Sequence, residues 1–92
     1  MDARALVAWN LRKLRVERQL SQEQLAADAG IDRTYVGGLE RRTENPTIAV
    51  LEQLSEALSV HISELFVEPR KGSTPPQSLP GGRRPVGRRA SR

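Results

Sequence analysis

The sequence predicts an all-α fold: a five-helix domain over residues 1–68, followed by a disordered basic tail over 69–92. Three observations predict it. Apolar residues recur at helical spacing, as Val7, Leu11 and Leu14 do at i, i+4 and i+7. Ser21, Asp32 and Thr47 each precede such a run, where a side-chain oxygen can satisfy unpaired amide groups at a helix start. From Glu68 on, the chain holds five of its six prolines and four of its seven glycines, with Leu79 and Val86 as the sizeable apolar residues. Such a segment buries too little surface to offset its ordering entropy. No stretch reads convincingly as a strand, and no internal repeat is visible.

The first helix is expected from about Ala3 to Arg18. Trp9 lies off its apolar stripe and is an exposed wedge, a docking point for the tail, or packed by a neighbour. A second helix follows in "SQEQLAADAG", with Ser21 as cap and Gln24 completing a capping box. Leu25, Ala26 and Ala29 face inward, and Gly30 supplies the left-handed terminator. Asp32 caps a third helix, Arg33 to about Arg41, with Val36 and Leu39 inside. "TENP" breaks the chain, because the residue before Pro46 is pushed away from helix. Thr47 caps a fourth helix, and "HISELF" forms a short fifth with Ile62, Leu65 and Phe66 apolar. The expected core is Val7, Leu11, Leu14, Leu20, Leu25, Ala26, Ala29, Ile31, Val36, Leu39, Ile48, Leu51, Leu54 and Leu58. That is thin for a chain that buries only about 60% of its surface, and a second copy covering the fifth helix would help.

The net charge of +4 is unevenly placed. Residues 1–68 hold eight basic residues against eleven acids, a net −3, while residues 69–92 hold seven basic residues and no acid, a net +7. The tail is therefore either a solubilising end or a polybasic arm attracted to an anionic polymer. No cysteine is present, so there is no disulfide framework and no thiolate metal site. No apolar run approaches the ~18 residues a membrane span needs, the start of the chain does not look like a signal peptide, and a cytoplasmic location is expected. The lone His61 is read as a surface or cap residue. No nucleophile–base set has a workable spacing, so no catalytic residue, metal or cofactor is expected.

Two short helices joined by a glycine-containing turn form a helix-turn-helix, whose second helix is shaped to enter a DNA major groove. On the third helix, positions 33, 34, 37, 38 and 41 share the face opposite Val36 and Leu39. Arg33 suits a bidentate contact to guanine O6 and N7, and Thr34 a thymine methyl or a hydrogen bond. Gly37 and Gly38 each cost a helix about 1 kcal/mol relative to alanine. They read as a bare floor that lets the helix approach bases closely, or else as relief of crowding between helices. Gln22 at the start of the second helix, with Tyr35, Arg41, Arg42 and Asn45, suits phosphate contacts, which position without reading sequence.

Over roughly residues 7 to 66, "LSQEQLA", "IDRTYVGGLER", "NPT" and the closing "LF" together resemble the Xre family of lambda-repressor-like helix-turn-helix domains. "IDRTYVGGLER" is especially similar to controller proteins of restriction–modification systems. The resemblance implies a homodimer on a palindromic operator, base contacts from Arg33 and Thr34, phosphate contacts from the region of Gln22 and the loop after Leu39, and an internal ion pair between Arg15 and Glu40. The chain departs from the pattern in three places. A larger residue is frequent near position 38, Ser59 stands where a glycine often ends the fourth helix, and His61 stands where a serine often caps the fifth.

The expected function is a dimeric, sequence-specific transcription regulator in the bacterial cytoplasm and nucleoid, with double-stranded DNA as partner. Val60, Ile62, Leu65, Phe66 and Val67 are expected to divide between the protomer's own core and a two-fold dimer seam. Glu23, Asp28, Glu52, Glu56 and Glu64 are plain solvated faces or a surface for a basic patch of RNA polymerase. Rival readings are an antitoxin that represses its own operon and binds a toxin, and a helical protein-interaction module that binds no DNA.

Overall fold

A computed structural model describes residues 1–74 of the chain. Within them lie four α-helices, α1 (Ala3–Glu17), α2 (Gln22–Ala29), α3 (Arg33–Glu40) and α4 (Ile48–Ala57), then a 3-10 helix, Ile62–Phe66. There is no strand among the described residues. The expected fifth helix is a 3-10 helix of five residues. The Glu64 amide donates to the His61 carbonyl, three residues back, at 2.9 Å, the tighter pattern that short helical pieces use. Most of the expected disordered tail, residues 75–92, lies outside the described residues.

Each helix starts on a side-chain cap. Asp2 accepts from the Ala5 amide, Ser21 from Gln24, Asp32 from Thr34 and Thr47 from Val50, at 2.8, 2.9, 2.9 and 3.1 Å. The capping box at Ser21 is only half made. Gln24 turns its amide forward to Asp28 at 3.0 Å, an i, i+4 contact, rather than back to Ser21. His61 caps the 3-10 helix, its Nδ1 accepting from the Ser63 amide at 3.1 Å. Gly30 ends α2 at φ +74°, where the Ile31 amide closes onto the Ala26 carbonyl at 3.0 Å. Ser59 ends α4 at φ +59°, a left-handed conformation that costs a non-glycine residue roughly 1–2 kcal/mol.

The core gathers Val7, Leu11 and Leu14 of α1, Leu25, Ala26 and Ala29 of α2, Val36 and Leu39 of α3, and Leu51, Leu54 and Leu58, with Leu20 and Ile31 packed partly buried against it. One core expectation needs correction. Ile48 is 77% exposed, because it is the first residue of α4 and no neighbouring element reaches it. Leu65, among the residues expected to divide between the core and a dimer seam, is fully buried in the protomer's own core and is not available to a seam. α1 packs on both α3 and the 3-10 helix, and α2 bridges α3 and α4, so α3 is held from two sides.

Candidate nucleic-acid interface

The turn between α2 and α3 is three residues long: Gly30 in the left-handed conformation, half-buried Ile31 and the cap Asp32. This fixes how α3 leaves α2. Val36 and Leu39 then anchor the inner face of α3, with exposures of 0% and 2%. A charged network backs them. Arg15 grips Glu40 through two parallel hydrogen bonds, Nε to Oε2 at 2.7 Å and Nη2 to Oε1 at 3.0 Å. Both side chains are nearly dry, at 6% and 4% exposure. The remaining arginine nitrogen, Nη1, donates to the Leu20 carbonyl at 2.8 Å. Gln22 Nε2 donates to Glu40 Oε1 at 3.1 Å. One carboxylate therefore ties together α1, the start of α2 and the end of α3.

On the outer face, Arg33 and Thr34 are both exposed at the first turn of α3. Tyr35 is half-buried, and its hydroxyl donates to the Asn45 carbonyl at 3.3 Å, linking α3 to the loop before α4. Arg41, Arg42 and Asn45 are exposed, and Arg42 turns the chain at φ +65°. Gln22 stands at the first position of α2, half-buried, with its amide nitrogen directed inward to Glu40.

The two glycines have occupied surroundings rather than an open floor. A methyl group on Gly37 would lie 3.0 Å from Arg41 Nη1 and 3.4 Å from Gln22 Oε1, the movable ends of two long side chains. One on Gly38 would come within 3.0 Å of Glu44 Cγ and lie 3.2 Å from Thr43 Oγ1. Gly38 is roofed by its own loop. The Thr43 amide and hydroxyl both donate to the Gly38 carbonyl, at 2.8 and 3.1 Å.

At the other end of the domain, Val60 and Ile62 pack partly buried on the core, while Phe66 and Val67 are 40% and 47% exposed. Sequence reasoning missed Asn10. It is buried, and its amide nitrogen lies 2.9, 3.2 and 2.8 Å from the carbonyls of Leu6, Leu65 and Val67, fastening the chain's exit onto α1. The signal was available, since Asn10 sits within the Val7, Leu11, Leu14 stripe, where a polar residue has to find partners. Trp9 is half-buried and shares a groove with Val16, Val67 and Pro69. Among the described residues no group of three acidic, histidine or cysteine side chains could hold a metal ion, and no helix is long and apolar enough to cross a membrane.

Residues 11–65 match the model of the helix-turn-helix family HTH_3. A hypothetical transcription factor of Neisseria meningitidis is 40% identical over 70 residues, 76% of this chain and 66% of that protein's length. The crystal structure of the Neisseria factor superposes with a TM-score of 0.72 over 74% of this chain and 78% of that one. The control protein C.SmaI of Serratia marcescens is 42% identical over 66 residues, 72% of this chain and 79% of its own. The restriction–modification controller protein C.AhdI of Aeromonas hydrophila is similar in structure, with a TM-score of 0.67 and 41% identity over 68% of this chain and 96% of that one.

Proposed function

The chain belongs to the helix-turn-helix family HTH_3, and from that membership we propose a sequence-specific, DNA-binding transcription regulator that acts as a dimer on a palindromic operator. One observation carries the reading. Arg33 and Thr34 project, exposed, from the first turn of a helix whose opposite face is locked to the rest of the domain. A rigid helix with free polar side chains at its leading end is what direct readout of base edges requires. α3 lies in the major groove with Arg33 and Thr34 on the bases. Gly37 leaves room for the Arg41 guanidinium and the Gln22 carboxamide to lie across the helix. Tyr35, Arg41, Arg42 and Asn45 flank α3 on the phosphates, joined by the backbone amide of Gln22 at the start of α2, whose side-chain nitrogen is held inward by Glu40, and they set its register without reading sequence.

Phe66 and Val67, with the edges of Val60 and Ile62, form the dimer seam on this reading. The seam sets the two copies of α3 about 34 Å apart, one turn of the duplex. The basic residues of 69–92 add affinity for any duplex. The exposed acids Glu23, Asp28, Glu52, Glu56 and Glu64 are available to RNA polymerase. The activity belongs to the bacterial cytoplasm, on the nucleoid.

Sequencing the DNA that the full chain selects from a random pool tests the reading, with sedimentation of the recovered complex. The expected result is a palindrome bound by two protomers. Recovery of unselected sequence, or no binding at low salt, overturns it.

A further inference from the structure

We propose that Glu44 is a specificity-determining residue, its carboxylate taking the place of the side chain that position 38 lacks and accepting a hydrogen bond from the N4 amino group of a cytosine. The inference rests on the DNA-binding reading above and deepens it.

Gly38 shares the outer stripe of α3 with Thr34, one turn earlier. The position where its Cβ would stand is filled from outside the helix, by Glu44 Cγ, with Glu44 Oε2 3.2 Å away. The loop that delivers this side chain is not loose. Arg42 makes the left-handed turn, and the two hydrogen bonds from Thr43 to the Gly38 carbonyl pin the next residue. Glu44 therefore lies along α3 as a side chain of the helix itself would.

Its carboxylate is also unspent. The carboxylate of Glu40 takes three hydrogen bonds, from Arg15 and Gln22. That of Glu44, half-buried, has no hydrogen-bond or ion-pair partner among the described residues. An acid without a partner on a face that meets phosphates opposes binding unless a donor compensates it. The major groove offers two such donors, the amino groups of cytosine and adenine. Adenine sets its N7 acceptor beside its amino group, where it repels a carboxylate, while cytosine presents a donor alone. Guanine and thymine present acceptors there and are rejected. The acid thus contributes discrimination at the cost of general affinity.

The test repeats the random-pool selection with the full chain carrying no substitution, Glu44→Ala, Glu44→Gln or Gly38→Ala. The unsubstituted chain should select cytosine at one position of each half-site. Glu44→Ala should lose that preference by about tenfold, the scale of one good base contact. The preferences at the remaining positions, and the fold by circular dichroism, should be retained. Glu44→Gln should move the preference to adenine, which a carboxamide meets with both its donor and its acceptor. Gly38→Ala, which displaces Glu44 from its seat, should lose the same position as Glu44→Ala. An identical motif from the unsubstituted chain and Glu44→Ala, or a loss spread evenly over all sequences, overturns the assignment of Glu44 alone. A chain that selects no DNA without any substitution overturns the regulator reading and this inference together.

Discussion

The two faces of α3 use the same charged residue types under opposite conditions. On the inner face, Arg15 and Glu40 are nearly dry and satisfy each other with bidentate geometry. On the outer face, Arg33, Arg41 and Arg42 stand in solvent, and Glu44 lies half-covered without a partner. Solvent accounts for the difference. Away from water a charge has to carry its compensation with it, so the buried pair is closed and leaves nothing over for a ligand. In water a charge is already compensated by solvent, and it can exchange that hydration for a phosphate or a base edge. The helix is one rigid object with a closed side that locates it and an open side that can read.

The two faces should therefore fail in different assays. The largest effect is expected inside. Arg15→Ala strips Glu40 of its buried counter-charge and should cost ~3–5 kcal/mol of folding stability in urea denaturation, a large share of what a domain of this size has. The double variant Arg15→Met/Glu40→Leu should recover most of that loss, because an apolar pair needs no compensation. A single-variant loss below about 1 kcal/mol would place the pair among surface ion pairs and break the comparison.

A smaller effect is expected outside. Arg33→Ala should leave the urea midpoint nearly unchanged, as substitution of an exposed residue does. It should weaken binding to the selected operator by ~1–3 kcal/mol in titrations, with little change on unrelated duplex. Equal losses on both duplexes would move Arg33 among the phosphate contacts.

The smallest effect separates the two glycines. Gly37→Ala meets only the ends of the Arg41 and Gln22 side chains, which can shift. It should raise stability by up to about 1 kcal/mol, the difference in helix propensity. A clear loss of stability in the same denaturation experiment would mean that the Arg41 and Gln22 side chains are fixed in place over the helix.

Much of the architecture was legible in the pattern of residues. The caps Ser21, Asp32 and Thr47, the terminator Gly30 and the inner pair Val36 and Leu39 follow local rules that act within one turn of helix, and each is found where those rules put it. The misreadings concern contacts between segments distant in the chain. Ile48 has the apolar character of a core residue but no neighbour to cover it, and which of the apolar residues 60–67 belongs to the core is decided only by packing, which buries Leu65 fully. Asn10 reads as a break in an apolar stripe until the carbonyls of Leu65 and Val67, more than fifty residues on, come to lie against it.

The candidate interface divides in the same way. Helical periodicity is a property of the chain alone, and it was enough to set Arg33 and Thr34 on the side away from the core. What lies over Gly37 and Gly38 is not periodic. It depends on how the chain doubles back after Arg42 and on where Glu44 then comes to rest. Local hydrogen bonds and hydrophobic spacing repeat every turn and can be read in one dimension, whereas the space above a glycine is filled by whatever the folded chain carries there.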